Sequence, residues 1–282
     1  MSAGTPSRAP ALFISHGAGP FPIISPEWKF FRDFLQTHKW KLEGVKGIIL
    51  FSAHWETDVP HVTAADDPGL YYDYADDEIL GKLIPPEALE IKYPVRGDSK
   101  LATDVAQHLR NLGWDPVLDY KHGLDHGVFV PMLCLRPEAD IPIVQVSLLK
   151  GTDEQEATKK NLRLGRAVEH FRDLGYAIIS SGASYHDFWT SYNAARKNVP
   201  LPPDVERFED FLLSTTSIAD PDERERTFQH WRDEPSSYVA HVKDESEHFM
   251  PFLVASGAGG HRAGVRMELI NGPGGPMSFY EW

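Results

Sequence analysis

Three histidines of this chain each follow a short apolar run. His16 comes after Ala11-Leu-Phe-Ile-Ser15, His54 after Ile48-Ile-Leu-Phe-Ser-Ala53, and His186 after Ile178-Ile-Ser-Ser-Gly-Ala-Ser-Tyr185. A neutral imidazole is the commonest protein ligand for Zn(II) and also serves Fe(II), so histidines delivered to one place from separate segments have a direct chemical use. Small residues accompany them: Gly17, Ala18 and Gly19 beyond His16, and Ser180 to Ser184 ahead of His186. Such thinning of side chains lets backbone approach a bound group closely. A single histidine is more often a satisfied core or loop residue, but three placed this way favour a shared metal site.

Two further histidines are candidates. His248 stands at the start of the apolar segment Phe249-Met-Pro-Phe-Leu-Val-Ala255, where it either reaches inward or stays solvated beside Glu245 and Glu247. His126 lies in Gly123-Leu-Asp-His-Gly127, which reads either as an ordinary tight turn or as a binding loop whose Asp125 orients the imidazole. His38, His61, His108, His170, His230 and His261 fall on helical faces, edges or polar loops, and His122 and His241 carry no local signal of their own.

The elements that must position these residues follow from hydrophobic period. Ala11 to Ser15, Gly47 to Ala53, Ile141 to Leu148 and Tyr176 to Ser181 are short, continuous apolar runs of the kind that form interior strands. Helical spacing is clearest from Ser99 to Leu112, with Gly113 as a stop, and from about Asp153 to Leu174. Pro203 to Ser217 and Glu245 to Ser256 are two more helices, the second stopped by Gly257. Val265 to Ile270 and Met277 to Tyr280 are candidate strands around the turn-forming Asn271 to Pro276, while Pro60 to Pro94 and Asn193 to Asp204 read as surface excursions. Strands alternating with helices predict an α/β fold: a central, mostly parallel or mixed sheet with helices on both faces, in a single domain. Ligands in such sheets bind beyond the carboxyl ends of the strands, which is where the histidines fall.

Composition narrows the function classes. A net charge of −13 disfavours nucleic acid, whose partners present a basic face to the phosphates. No run reaches the roughly 18 apolar residues of a membrane span, and Met1 to Pro10 has no apolar signal-peptide core, so the expectation is a cytoplasmic protein with no membrane partner. The single cysteine, Cys134, lies in the apolar stretch Val130 to Leu135 and reads as a buried hydrophobe. There is no phosphate loop ending in Gly-Lys-Ser/Thr, no Cys-x-x-Cys pair and no G-x-S-x-G elbow.

Five blocks together resemble a known family. Pro10-Ala-Leu-Phe-Ile-Ser-His-Gly17, Ser52-Ala-His-Trp55, Gly123-Leu-Asp-His-Gly127, Ser181-Gly-Ala-Ser-Tyr-His186 and Glu247-His-Phe-Met-Pro-Phe252 are similar, in order and spacing, to the DOPA-dioxygenase branch of the LigB-type extradiol ring-opening dioxygenases. The resemblance implies one catalytic domain over residues 1–282 with one divalent metal, Fe(II) for catalysis and Zn(II) as another bound species. It places His16, His54 and His248 on the metal-ligand positions, His186 on a position described either as a ligand or as the base, and His126 as a second acid/base group. It further implies a small aromatic diol and O2 as partners, with the ring opened beside the diol. Tyr71-Tyr-Asp-Tyr-Ala-Asp-Asp77 departs from the Asp-Phe-x-Gly-Phe-Pro-like stretch of relatives, and His186-Asp-Phe-Trp189 departs from their His-Asn-Leu-Arg, so DOPA itself does not follow as the substrate. Two rival readings remain beside the dioxygenase: a zinc-dependent hydrolase on the same site, and a non-catalytic, Memo-like binding protein on the same fold.

Overall fold

The four apolar runs become neighbours in the middle of one sheet. The computed structural model describes residues 8–78 and 80–282, so most of the N-terminal stretch read above lies outside the described residues. Its strands are β1 (Ala11–Ser15), β2 (Gly47–Thr57), β3 (His61–Thr63), β4 (Val117–Asp119), β5 (Ile143–Leu149), β6 (Tyr176–Gly182), β7 (Val265–Gly272) and β8 (Gly275–Glu281). They lie in the order β4-β3-β5-β2-β6-β1-β8-β7. The inner strands β5, β2, β6 and β1 run parallel, whereas β3 meets β5, and β8 meets β1 and β7, in antiparallel sense. The sheet is therefore mixed, parallel at its centre and antiparallel toward its edges.

Alternate residues of each inner strand feed two separate cores. Ala11, Phe13, Ile49, Phe51, Val144, Val146 and Ile178 pack on one face against the helices Ser99–Asn111, Glu154–Val168, Asp204–Thr216 and Met250–Ala258. Leu12, Ile14, Ile48, Leu50, Ile143, Ala177 and Ile179 pack on the other, against the helices Lys29–Thr37 and His126–Leu135. A strand with both faces covered has no polar face to display, which is why these segments read as unbroken apolar runs. The expected α/β architecture, with helices on both faces, is the one observed.

Several local expectations change. β2 continues past Ala53 to Thr57, and its register against β5 slips between Phe51 and Glu56. His54 thus sits in a bulged stretch of the strand rather than just beyond its end, and a bulge of this kind re-aims side chains. The last apolar helix begins at Met250, not Glu245, with Pro251 in its first turn, where a missing N–H costs nothing. Gly257 lies inside that helix rather than stopping it. A Cβ on Gly257 would meet the Leu162 carbonyl oxygen at 2.4 Å, and one on Gly165 would meet that of Val254 at 2.1 Å. The two glycines let the helices Glu154–Val168 and Met250–Ala258 cross with their backbones nearly touching. A helix at Phe188–Lys197 overlaps the segment expected to be an excursion; Asp187 caps its start through Thr190 N, and Asn198 ends it in the left-handed conformation. Cys134 is buried in the helix His126–Leu135, and burial pushes its thiol up to about 12. Among the described residues, no helix is long and apolar enough to cross a membrane.

One buried cation ties the frame behind the site. Arg172 is 1% exposed and donates to the carbonyls of Ala9 at 2.8 Å, Ala258 at 2.6 Å, Gly259 and Trp282. It joins the lead-in to β1, the end of the helix Met250–Ala258 and the residue after β8. Replacing Arg172 by Met removes a donor from each of these carbonyls, although that of Trp282 still accepts from Ala11 N, and a lost buried hydrogen bond costs free energy. The variant is expected to lose about 2 to 4 kcal/mol of stability, read as a fall in the urea midpoint with the slope unchanged.

Candidate metal centre

The parallel ladder delivers the first histidine. His16 follows β1 directly, and its backbone N–H extends the β1–β6 pairing by donating to the Gly182 carbonyl at 2.8 Å. Gly182 in turn lies against the segment that carries His248: Ala183 N donates to the His248 carbonyl at 2.9 Å, and a Cβ on Gly182 would meet that oxygen at 2.3 Å. Only a residue without a side chain allows these backbones to be so close. The bulge of β2 brings His54 to the same place. The ligand atoms of His16, His54 and His248 all lie within 4.8 Å of one another.

Each of the three rings is held by its Nδ1. His16 Nδ1 meets Ser181 Oγ at 2.8 Å, His248 Nδ1 meets Glu247 Oε1 at 2.7 Å, and His54 Nδ1 lies 3.4 Å from Asp73 Oδ2. That leaves the Nε2 atoms for the interior, and those of His16 and His54 face each other at 3.1 Å. Burial, and then the neighbouring histidines, hold His16 and His54 well below the usual imidazole range. They are neutral at physiological pH, so the facing Nε2 atoms call for a shared proton or a shared cation. A hydrogen-bonded Nδ1 and a free Nε2 on a neutral ring are the arrangement that metal-binding histidines adopt. On these grounds the donor set fits a divalent ion.

A further histidine stands at either side of the trio. His126 opens the helix His126–Leu135; its N–H and its Nδ1 both engage Asp73, at 2.9 Å and 2.8 Å, and its ring centroid is 3.9 Å from that of His54. His54, Asp73 and His126 form a second group of close ligand atoms. On the opposite side His186 stacks on His248, centroids 3.7 Å apart and planes 12° from parallel. Its ligand atoms group with those of Glu247 and His248 rather than with those of His16 and His54. Burial and the charge of His248 lower the His186 pKa. Burial works against ionisation of Glu247, but its hydrogen bond and electrostatic contact with His248 outweigh this, holding the carboxyl at about 2.

All five expected histidines therefore meet in one crevice, but their supports differ from expectation. Asp125 does not orient an imidazole. Its carboxyl accepts from Ser52 Oγ at 2.6 Å and from Gln145 Nε2, and burial first, then the charge of Asp73, raise it to about 6. Because Ser52 Oγ also accepts from His54 N, Asp125 braces the bulge. The carboxylate that orients His126 is Asp73, which the sequence reading did not single out. Its available signal was the acid–aromatic pair Asp73-Tyr74 within the divergent tyrosine-rich stretch. Of the histidines without a local signal, His241 is fully buried, gives Nε2 to the Ser184 carbonyl and forms an isolated bridge with His186, while His122 stacks on Trp55 at 3.8 Å.

Comparison with known proteins gives the family. Residues 7–274 match the family described as the catalytic LigB subunit of aromatic ring-opening dioxygenase. The chain is 34% identical to a dioxygenase, tasH, of Hapsidospora irregularis, over 97% of this chain and 85% of that protein. It is 30% identical to a 4,5-DOPA dioxygenase extradiol of Beta vulgaris, over 95% of this chain and 93% of that one. An uncharacterized Escherichia coli K12 protein of known crystal structure shares the fold with a TM-score of 0.75 at 22% identity, covering 97% of this chain and 99% of its own. The chain belongs to the LigB family of aromatic ring-opening dioxygenases.

Proposed function

We propose that residues 1–282 form one catalytic domain that opens the ring of a catecholic small molecule beside its diol, consuming O2. The observation that carries this reading is the histidine trio with each Nδ1 engaged from outside, flanked by the Asp73-held His126 on one side and by His186, stacked on His248, on the other. His16, His54 and His248 would hold the metal. Bound there, Fe(II) would supply the Lewis acidity and redox chemistry that joins a catechol to O2, whereas Zn(II) would occupy the same donors without redox activity.

The remaining roles belong to the chain's own side chains. His186, neutral and the more open of the two outer rings, can take a phenolic proton from the arriving diol. His126, with Nδ1 tied to Asp73, keeps Nε2 to give or take a proton at the reacting oxygen. Asp73 fixes the ring's orientation. The names of the relatives support a catechol as the substrate class, and a lone, buried Cys134 accords with the reducing cytosol.

Protein loaded anaerobically with Fe(II) is expected to take up O2 with at least one member of a catechol panel and to form a yellow ring-opened product. No uptake across the panel would sink the dioxygenase reading, and turnover with Zn(II) but not Fe(II) would favour the hydrolase instead. Alanine at His16 or His54 should abolish stoichiometric metal binding, measured by elemental analysis after gel filtration. Asp73→Asn and His126→Gln are each expected to slow turnover about 10²-fold, and their double variant no further, because the two act as one unit. Additive losses in that cycle would separate Asp73 from His126.

A further inference from the structure

The segment that delivers His186 has left the sheet. β6 ends at Gly182, and residues 183–186 are held by single contacts instead of a ladder. Ala183 N donates to the His248 carbonyl at 2.9 Å, Ser184 N to Ser15 Oγ at 3.2 Å and His186 N to the Ala240 carbonyl at 2.7 Å, while the Ser184 carbonyl accepts from His241 Nε2 at 3.1 Å. The His186 ring stacks on His248 and lies 3.9 Å from Glu247 Oε1, too far for a hydrogen bond. Its place therefore depends on how firmly the backbone of this segment is fixed.

Ser184 belongs to a closed, buried ring of three serines. Ser278 N donates to Ser184 Oγ at 3.0 Å, Ser15 Oγ donates to the Ser278 carbonyl at 2.8 Å, and Ser184 N closes the ring on Ser15 Oγ. Ser15 and Ser278 sit in β1 and β8, so Ser184 is the one member outside a strand. Ser278 Oγ donates in turn to Glu209 Oε2, which comes from the helix Asp204–Thr216. Glu209 is 3% exposed, and Arg266 Nη1 stands 3.9 Å from the same oxygen. Glu209 Oε1, Arg266 Nη1 and the Tyr280 hydroxyl are buried without a hydrogen-bond partner among the described residues. A buried carboxyl with one oxygen orphaned is a poor stabiliser, because desolvating it costs more than a single hydrogen bond returns. Its contact with the serine ring gives it another use.

We propose that Glu209 is a positioning residue for His186: by holding Ser278, and through it Ser184, it fixes residues 183–186 and so the place of the His186 ring beside His248. The inference rests on the dioxygenase reading for what His186 does in turnover, but not for where the segment stands. The metal donors have supports of their own, since Ser181, Asp73 and Glu247 hold the rings of His16, His54 and His248. Loss of Glu209 should therefore act on the chemical step rather than on the metal, because a small misplacement of a reacting group is enough to slow it.

Two measurements on Glu209→Ala and Glu209→Gln test this. In amide hydrogen exchange on Zn(II)-loaded protein, followed by mass spectrometry, alanine should speed exchange in the peptide spanning 183–186 at least about tenfold and leave that of β1 unchanged. In O2 uptake by Fe(II)-loaded protein, alanine should lower kcat about tenfold, with the KM for the catechol and the bound iron within about twofold of the unaltered protein. Glutamine keeps an acceptor for Ser278 Oγ and should recover most of both effects. Should Glu209→Ala fail to fold, Ser278→Ala takes its place, since it removes the hydroxyl that reaches Glu209 and keeps the backbone bonds of the ring. Unaltered exchange at 183–186, exchange raised equally in β1, or a loss that falls on KM or metal content rather than kcat overturns the proposal, as does glutamine behaving like alanine. Faster exchange at 183–186 in a protein that takes up no O2 with any catechol would uphold the positioning role and sink the dioxygenase reading. O2 uptake with unaltered exchange would do the reverse.

Discussion

Five imidazoles share one crevice at neutral pH only if most are uncharged and each ring has a nitrogen satisfied elsewhere, since neighbouring imidazolium charges repel and unsatisfied buried nitrogens cost free energy. The structure meets that constraint for four of the rings through Ser181 on His16, Asp73 on His54 and His126, and Glu247 on His248, while the fifth, His186, is partly exposed. With Nδ1 so engaged, the Nε2 atoms of His16 and His54 face each other at 3.1 Å. His16 and His54 are thus neutral donors whose orientation is set from outside, as in metal-binding histidines.

The scaffold serves the same end through backbone rather than side chains. The β1–β6 ladder continues into the site as His16 N–H to Gly182 C=O, and the absent side chain of Gly182 leaves room for the carbonyl of His248. Behind this, the glycine-lined crossing of the helices Glu154–Val168 and Met250–Ala258 and the Arg172 ties hold the last helix in place. On the other side, the Asp125–Ser52 contact braces the bulge that re-aims His54. A small-residue segment in this chain is in each case a place where two backbones must nearly touch.

Carboxylates do two different jobs around this crevice. Asp73 and Glu247 act inward, each fixing an imidazole, and an ion at the trio would balance them. Asp125 acts on the backbone instead, through the Ser52 hydroxyl that accepts from His54 N.

The sequence by itself determined the four inner strands, the sheet's α/β class and the set of five histidines. Strands buried on both faces leave an unmistakable apolar run, and a histidine beside such a run is visible without any tertiary information. The blocks that carry the family likeness are short and local, which is why they were legible in order along the chain. What lay beyond the sequence was every relation that depends on which backbone faces which. The bulge at His54, the late start of the helix after His248, the bracing role of Asp125 and the hold of Asp73 on His126 arise from contacts between segments about 50 to 75 residues apart or from local geometry with no periodic signature. Asp73 looks like any other acid in a tyrosine-rich excursion until the fold sets it against the helix that begins at His126, because a side chain's role in a site is set by its neighbours in space, and those only the tertiary structure decides.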